Sequence, residues 1–95
     1  MKKFVLMHCG FEKPTPEIMA AWGKWFGSIK DHTVDNFGFG SGREISKAGT
    51  NDLPWGKASI TGISVVTAAS LDEAEKMAKG CPYISSIRVY EVRSK

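Results

Sequence analysis

The sequence has 95 residues, of which 42% are hydrophobic and 24% are charged, and its formal net charge is +3. This balance is ordinary for a soluble globular protein, and the length predicts one domain spanning residues 1–95. The basic residues are scattered, with no cluster beyond Lys2 and Lys3, so the sequence lacks the basic stripe of a nucleic-acid-binding protein.

Near the start of the chain, only Phe4–Met7 is continuously apolar, which is too short for a signal-peptide core or a membrane span. We therefore expect no membrane partner and a cytoplasmic location, where Cys9 and Cys81 would be reduced thiols. The two cysteines are far apart and form no Cys-x-x-Cys motif, so the sequence shows no zinc or redox motif, and we predict no metal-binding residues and no cofactor.

The first predicted elements are a strand over Lys3–Cys9 and a helix that starts at Thr15 and Pro16. Strand alternation places Phe4, Leu6 and His8 on one face. Thr15 supplies a hydroxyl cap and Pro16 stands at the first helical position. Four apolar residues then recur at helical spacing: Ile18, Trp22, Trp25 and Ile29. The tryptophans either pack in the core or line a ligand cleft, and the sequence leaves both interpretations open.

The middle of the chain is rich in glycine. Residues 33–47 are predicted to form one bent or bulged second strand, completed by Arg43–Ser46. Gly38–Gly42 lacks the following Lys-Ser/Thr pair of a phosphate-binding loop, so we expect no nucleotide site. Residues 48–57 are predicted as a loop or hairpin connection, in which Trp55 covers a core edge or a partner surface.

A third strand, a second helix and a last strand complete the chain. The strands are predicted over Ser59–Thr67 and Ile87–Arg93. Between them, Ser70 can cap a helix that Gly80 would end in a left-handed conformation. The order predicts an α+β, ferredoxin-like βαββαβ antiparallel sheet with both helices on one face. Since the other face also carries apolar residues, we expect a homodimer in which two sheets pack together.

The second helix also carries a family resemblance. Residues 69–74 followed by residues 78–82, with the sequences ASLDEA and AKGCP, resemble the second helix of the YCII-related (DGPF) family. Residues 16–22 resemble its first helix, Gly42-Arg43 its glycine-arginine segment, and residues 52–55 occupy the place of the Asp-Gly-Pro-Phe motif. The resemblance implies a dimeric α/β barrel.

Some relatives in that family look enzymatic because a histidine in the first helix faces an aspartate just before a Pro-Tyr pair. In this sequence Cys81 precedes Pro82-Tyr83, and the first helix contains no histidine. That acid–base mechanism therefore does not transfer to this chain, and whether the protein is an enzyme stays open.

The best single candidate for acid–base chemistry is His8, because imidazole is the usual acid or base near neutral pH. Cys81 is expected to be a buried, inert thiol, and Arg43 either holds an anionic ligand or forms an ordinary ion pair. The leading hypothesis is small-molecule binding in a cleft between the sheet and the first helix. Its predicted ligand-binding residues are His8, Trp22, Trp25, Arg43 and Trp55. The alternative hypothesis is a non-catalytic dimerisation or regulatory module in which these aromatics serve only the core and the interface.

Overall fold

The computed structural model describes residues 1–93, so Ser94 and Lys95 of the predicted domain lie outside the described residues. Within residues 1–93 the chain forms six strands and two α-helices, in the order β1 (Lys2–Cys9), α1 (Pro16–Ser28), β2 (Thr33–Gly38), β3 (Gly42–Ser46), β4 (Gly49–Leu53), β5 (Ile60–Ala68), α2 (Leu71–Lys79) and β6 (Ser86–Glu91). A single 3-10 turn, Lys30–His32, separates α1 from β2. Neither α-helix in this part of the chain is long and apolar enough to cross a membrane.

Four of the strands form one antiparallel sheet in the order β2-β5-β1-β6. The strand next to β1 on each side is distant in sequence, which is the ferredoxin-like arrangement, so the predicted fold class is confirmed. Both helices contribute to one core on the same face of this sheet. Its buried residues are Phe4, Leu6, Trp25, Ile29, Val66, Ala68, Ala74, Ala78 and Cys81. The alternation of β1 therefore turns Phe4 and Leu6 toward the helices, together with His8.

Local side-chain chemistry starts both helices where the sequence predicts. Thr15 Oγ1 accepts a hydrogen bond from the backbone N–H of Ile18 at 3.2 Å, and Ser70 Oγ accepts one from Glu73 at 3.2 Å. The predicted left-handed stop at Gly80 is wrong, because Gly80 has φ −78° and ψ −10°. The chain instead continues in a right-handed turn, closed by a 3.0 Å bond from Cys81 N to Ala78 O.

The predicted second strand is wrong in its second half. The segment divides into β2, which pairs with β5, and β3, which leaves the main sheet and pairs with β4 in a separate hairpin. The hairpin forms because a two-residue turn lets adjacent segments pair locally, and Gly49 closes it at φ +126°, a conformation that favours glycine. Arg43 and its neighbours therefore do not extend β2, and every residue of β3 and β4 is exposed.

One close backbone approach joins β2 to β5. Gly62 lies opposite Gly38, and a Cβ atom added to Gly62 would overlap the carbonyl oxygen of Phe37. Because a backbone atom cannot rotate away, we expect Gly62→Ala to lower the free energy of unfolding by about 1–3 kcal/mol. Gly38→Ala is the matched control, since a Cβ there meets nothing within 4 Å. Urea denaturation compares the two, and equal stabilities would rule out this close approach.

Candidate functional site

His8 lies near the end of β1, beneath α1. The residue is 7% exposed, and its ring stands edge-on to the rings of Trp22 and Trp25, with centroid distances of 5.1 Å and 5.6 Å. A polar ring enclosed by two aromatic side chains needs hydrogen-bond partners, because an unpaired polar group away from water is costly.

Those partners come from the two strands beside β1. His8 Nε2 is 2.9 Å from Ser64 Oγ on β5, and the Ser64 hydroxyl donates to Asn36 Oδ1 on β2 at 2.8 Å. Since Ser64 gives its one hydrogen to Asn36, its oxygen must accept from His8, which places the imidazole proton on Nε2. His8 Nδ1 is then an acceptor, and it lies 4.0 Å from Cys81 Sγ. We call the resulting series Cys81–His8–Ser64–Asn36 the buried chain; its first three members are buried, and Asn36 at its end is exposed.

Burial keeps both titratable members of the buried chain uncharged. Desolvation lowers the pKa of His8 from 6.5 to about 4, so the imidazole is neutral at pH 7. Desolvation also raises the pKa of Cys81 to about 12, so Cys81 is a thiol and not a thiolate. Neither ring nitrogen of His8 is free to meet a ligand, because one faces Ser64 and the other faces Cys81.

The buried chain ends in a cleft between α1 and the strands β2 and β5. This cleft has a volume of about 380 Å³ and is lined by His8, Trp22, Phe26, Asn36, Phe37, Gly38, Thr61 and Gly62. Trp22 and Phe26 bring aromatic rings to this cleft, and none of its lining residues is charged. Three of them are polar: His8, Asn36 and Thr61.

Among the polar side chains at the cleft, Asn36 retains the most hydrogen-bonding capacity for a ligand. Its Oδ1 accepts from Ser64, whereas within residues 1–93 its Nδ2 forms no hydrogen bond. Thr61 Oγ1 donates to the backbone oxygen of His8 at 3.3 Å and therefore has only lone pairs left to offer. The cleft thus presents an amide donor from β2 and a hydroxyl acceptor from β5.

The five ligand-binding residues predicted from the sequence do not form one site. His8 and Trp22 line the cleft, and Trp25 lies behind them, where its Nε1 donates to Met77 O at 2.9 Å and links the two helices. Arg43 is on the exposed hairpin and forms a 3.0 Å ion pair with Asp52, and Trp55 contacts Phe11 with a centroid distance of 5.5 Å. The detached hairpin therefore separates Arg43 and Trp55 from His8.

The sequence analysis did not identify two members of the buried chain, Ser64 and Asn36. Ser64 interrupts the apolar side of β5, and a polar residue on a buried face was the available signal for it. Asn36 gave no such signal, because it lies in a polar stretch and meets Ser64 only through the pairing of β2 with β5.

A larger cavity lies on the opposite face of the sheet. It has a volume of about 980 Å³, and its lining includes Val5, Met7 and Ile63 from the sheet together with Leu53 and Trp55 beside the hairpin. Within the described 93 residues, no group of three His, Cys, Asp or Glu side chains is arranged to hold a metal ion. Arg43 and Trp55 both line a third, shallow cavity at the hairpin.

Loss of the Ser64 hydroxyl should destabilise the protein. Ser64 is fully buried, and Ser64→Ala would leave the Nε2–H of His8 without its acceptor. We expect the free energy of unfolding to fall by about 1–3 kcal/mol. Ser28→Ala is the matched control, because Ser28 donates a 2.6 Å bond to Trp25 O from an exposed position. Thermal and urea denaturation report both variants, and equal losses would contradict a special role for the buried hydroxyl.

Comparisons with known proteins extend the description of the fold. No family model matches the sequence, and no curated protein matches it. Among solved structures, the chain is similar to 5-chloro-2-hydroxyhydroquinone dehydrochlorinase (TftG) from Burkholderia phenoliruptrix AC1100, in complex with 2,5-dihydroxybenzoquinone. The match covers 98% of this chain and 95% of that chain, with a TM-score of 0.59 and 12% identity. At this identity the two proteins share a fold.

Proposed function

We propose that the protein is a YCII-related domain that binds a small cyclic molecule in the cleft between α1 and the strands β2 and β5. The observation that carries the proposal is the cleft itself, in which Trp22 and Phe26 on α1 provide aromatic rings and Asn36 on β2 provides a polar group. Ligand sites commonly combine apolar walls with a few placed polar groups, in volumes of about 300–1,000 Å³. The cleft volume of about 380 Å³ falls at the lower end, which favours a ligand of one or two rings.

The fold comparison supports the proposal at the level of ligand size. The dehydrochlorinase of the same fold was solved with a single-ring compound, 2,5-dihydroxybenzoquinone. The proposal is binding and includes no catalytic step, because both ring nitrogens of His8 face protein groups. A cytoplasmic location belongs to the same proposal and accords with the two free thiols, Cys9 and Cys81.

Intrinsic tryptophan fluorescence tests the proposed cleft. Aromatic lactones, ketones and acids are titrated into the wild-type protein and into two variants, Trp22→Phe and Trp55→Phe. A ligand in the cleft should change the emission of the wild type and of Trp55→Phe, whereas Trp22→Phe should lose most of the response. The absence of a response across the whole set would refute the proposal, and so would a response that depends on Trp55 instead of Trp22.

A second copy of the chain is proposed to cover the sheet face opposite the helices. Val5, Met7, Ile63 and Val65 are half-buried on that face, and apolar patches of this kind commonly mark protein interfaces. Two such faces packed about a two-fold axis would form the dimeric α/β barrel that the family resemblance implies.

Sedimentation velocity at micromolar concentration tests the dimer. The wild type should sediment as a dimer, and Ile63→Glu should sediment as a monomer because it places a charge at the interface. Met19→Glu is the control, since Met19 is exposed on α1, away from that face, and should stay dimeric. A monomeric wild type would refute the interface. A dimer whose cleft responds to no compound would favour the alternative function, a dimerisation or regulatory module.

A further inference from the structure

The direction of hydrogen-bond donation along the buried chain determines which end of the Asn36 amide faces the cleft. The Ser64 hydroxyl is fully buried and donates to Asn36 Oδ1, so the oxygen end of the amide is held against the protein. The Nδ2 group, with two N–H donors, is then directed away from Ser64.

Reversing this amide would require a change in every member of the buried chain. If Nδ2 donated to Ser64, the hydrogen of this fully buried hydroxyl would have His8 Nε2 as its remaining acceptor within residues 1–93, and the imidazole proton would then move to Nδ1. That proton would face Cys81 Sγ at 4.0 Å, and sulfur is a weak acceptor. A protonated thiol serves better as the donor to Nδ1, which favours the direction Cys81 to His8 to Ser64 to Asn36. The amide orientation therefore follows from the hydrogen bonds of Ser64, His8 and Cys81, although Asn36 itself occupies an exposed position on β2.

The electrostatic surroundings of the cleft disfavour the binding of a charged ligand. None of its lining residues carries a charge, and the imidazole of His8 is neutral near pH 7 because burial lowers its pKa. A carboxylate placed beside Trp22 and Phe26 would lose part of its water without gaining a cation. The residue next to Asn36 is Asp35, whose carboxylate accepts from the backbone N–H of Asn36 at 2.8 Å and adds negative charge nearby.

We infer that the cleft selects neutral ring compounds that carry a carbonyl oxygen, which accepts a hydrogen bond from Asn36 Nδ2, over ring compounds that carry a carboxylate or an ammonium group. The inference deepens the proposed function and rests on it. Ser64 is a positioning residue in this scheme, because it acts on the ligand through Asn36.

Three probes of nearly equal size test the selectivity: benzamide, benzoate and benzylammonium. They are titrated to millimolar concentration into 15N-labelled protein at pH 7 while the side-chain amide signals of Asn36 are followed. Those signals are assigned by their disappearance in Asn36→Asp. We expect benzamide to bind at least about tenfold more tightly than either ion, and to shift the Asn36 amide signals directly.

Two variants separate donation by Asn36 from general packing. Asn36→Asp keeps the side-chain shape but replaces the donor with a negative charge, so the order of affinities should reverse in favour of benzylammonium. Ser64→Ala keeps Asn36 but removes its anchor, so the preference for benzamide over benzoate should shrink severalfold. The spectrum of each variant also shows whether it is folded, and the wild-type series decides the question if either variant is not.

The possible outcomes distinguish the selectivity of the cleft, the role of Asn36 and the existence of the ligand site. Equal affinities for benzamide and benzoate, with shifts at Trp22 and Phe37, would overturn the selectivity and leave the proposed cleft intact. Binding of benzamide that leaves the Asn36 amide signals unmoved would overturn the role of Asn36. No shift with any probe, together with no fluorescence response to the wider set, would overturn both the inference and the proposed function.

Discussion

Replacing Phe4 with alanine is expected to lower the free energy of unfolding by about 3–5 kcal/mol. Phe4 is 0% exposed and lies on β1, between β5 and β6, where it belongs to the core that both helices cover. Removing its ring takes away buried apolar area and leaves a cavity that the surrounding strands cannot easily collapse to fill. Since a domain of this size is typically stable by only about 5–15 kcal/mol, this loss is a large share of the total.

Urea denaturation measures this effect through the midpoint of the transition, with the slope showing whether the unfolding stays two-state. Phe11→Ala is the matched control, because it deletes the same ring from a residue that is 44% exposed. The control should lose severalfold less stability. If Phe4→Ala lost no more than Phe11→Ala, the central place of Phe4 in the core would be wrong.

Acidification from pH 6.5 to pH 4 is expected to destabilise the protein by about 3 kcal/mol through His8 alone. Burial lowers the pKa of His8 from 6.5 to about 4 in the folded protein. Between these two values the unfolded chain binds a proton that the folded protein does not, so stability falls as the pH falls. The unfolded chain is still half protonated at pH 6.5, so the dependence on pH through His8 fades only about one pH unit above that value.

The measurement is the free energy of urea unfolding at a series of pH values between 4 and 7. Carboxyl groups also titrate near the lower limit, so the informative quantity is the difference in slope between the wild type and His8→Gln, whose amide does not titrate. His32→Gln, which removes the other histidine and leaves the buried chain intact, is the matched control substitution. Identical slopes for the wild type and His8→Gln would show that His8 is not buried in its neutral form.

The candidate site was only partly predictable from the sequence. His8 and Trp22 stood out because strand alternation and helical spacing place them on faces that meet, and the structure brings both to the cleft. The hypothesis of one ligand site assumes that Arg43, in the predicted second strand, and Trp55, in the connection after it, both lie near His8. Pairing of β3 with β4 removes that assumption and leaves Arg43 with Asp52.

The sequence by itself determined the two helices, their hydroxyl caps and the order of elements that makes the sheet ferredoxin-like, because these depend on residues close together along the chain. Only the tertiary structure decided the buried chain and the direction of the Asn36 amide. Its members Asn36 and Ser64 lie 28 residues apart, and His8 and Ser64 lie 56 apart. They meet because of the register of three strands, and a shift of one residue in that register would turn each side chain to the opposite face of the sheet.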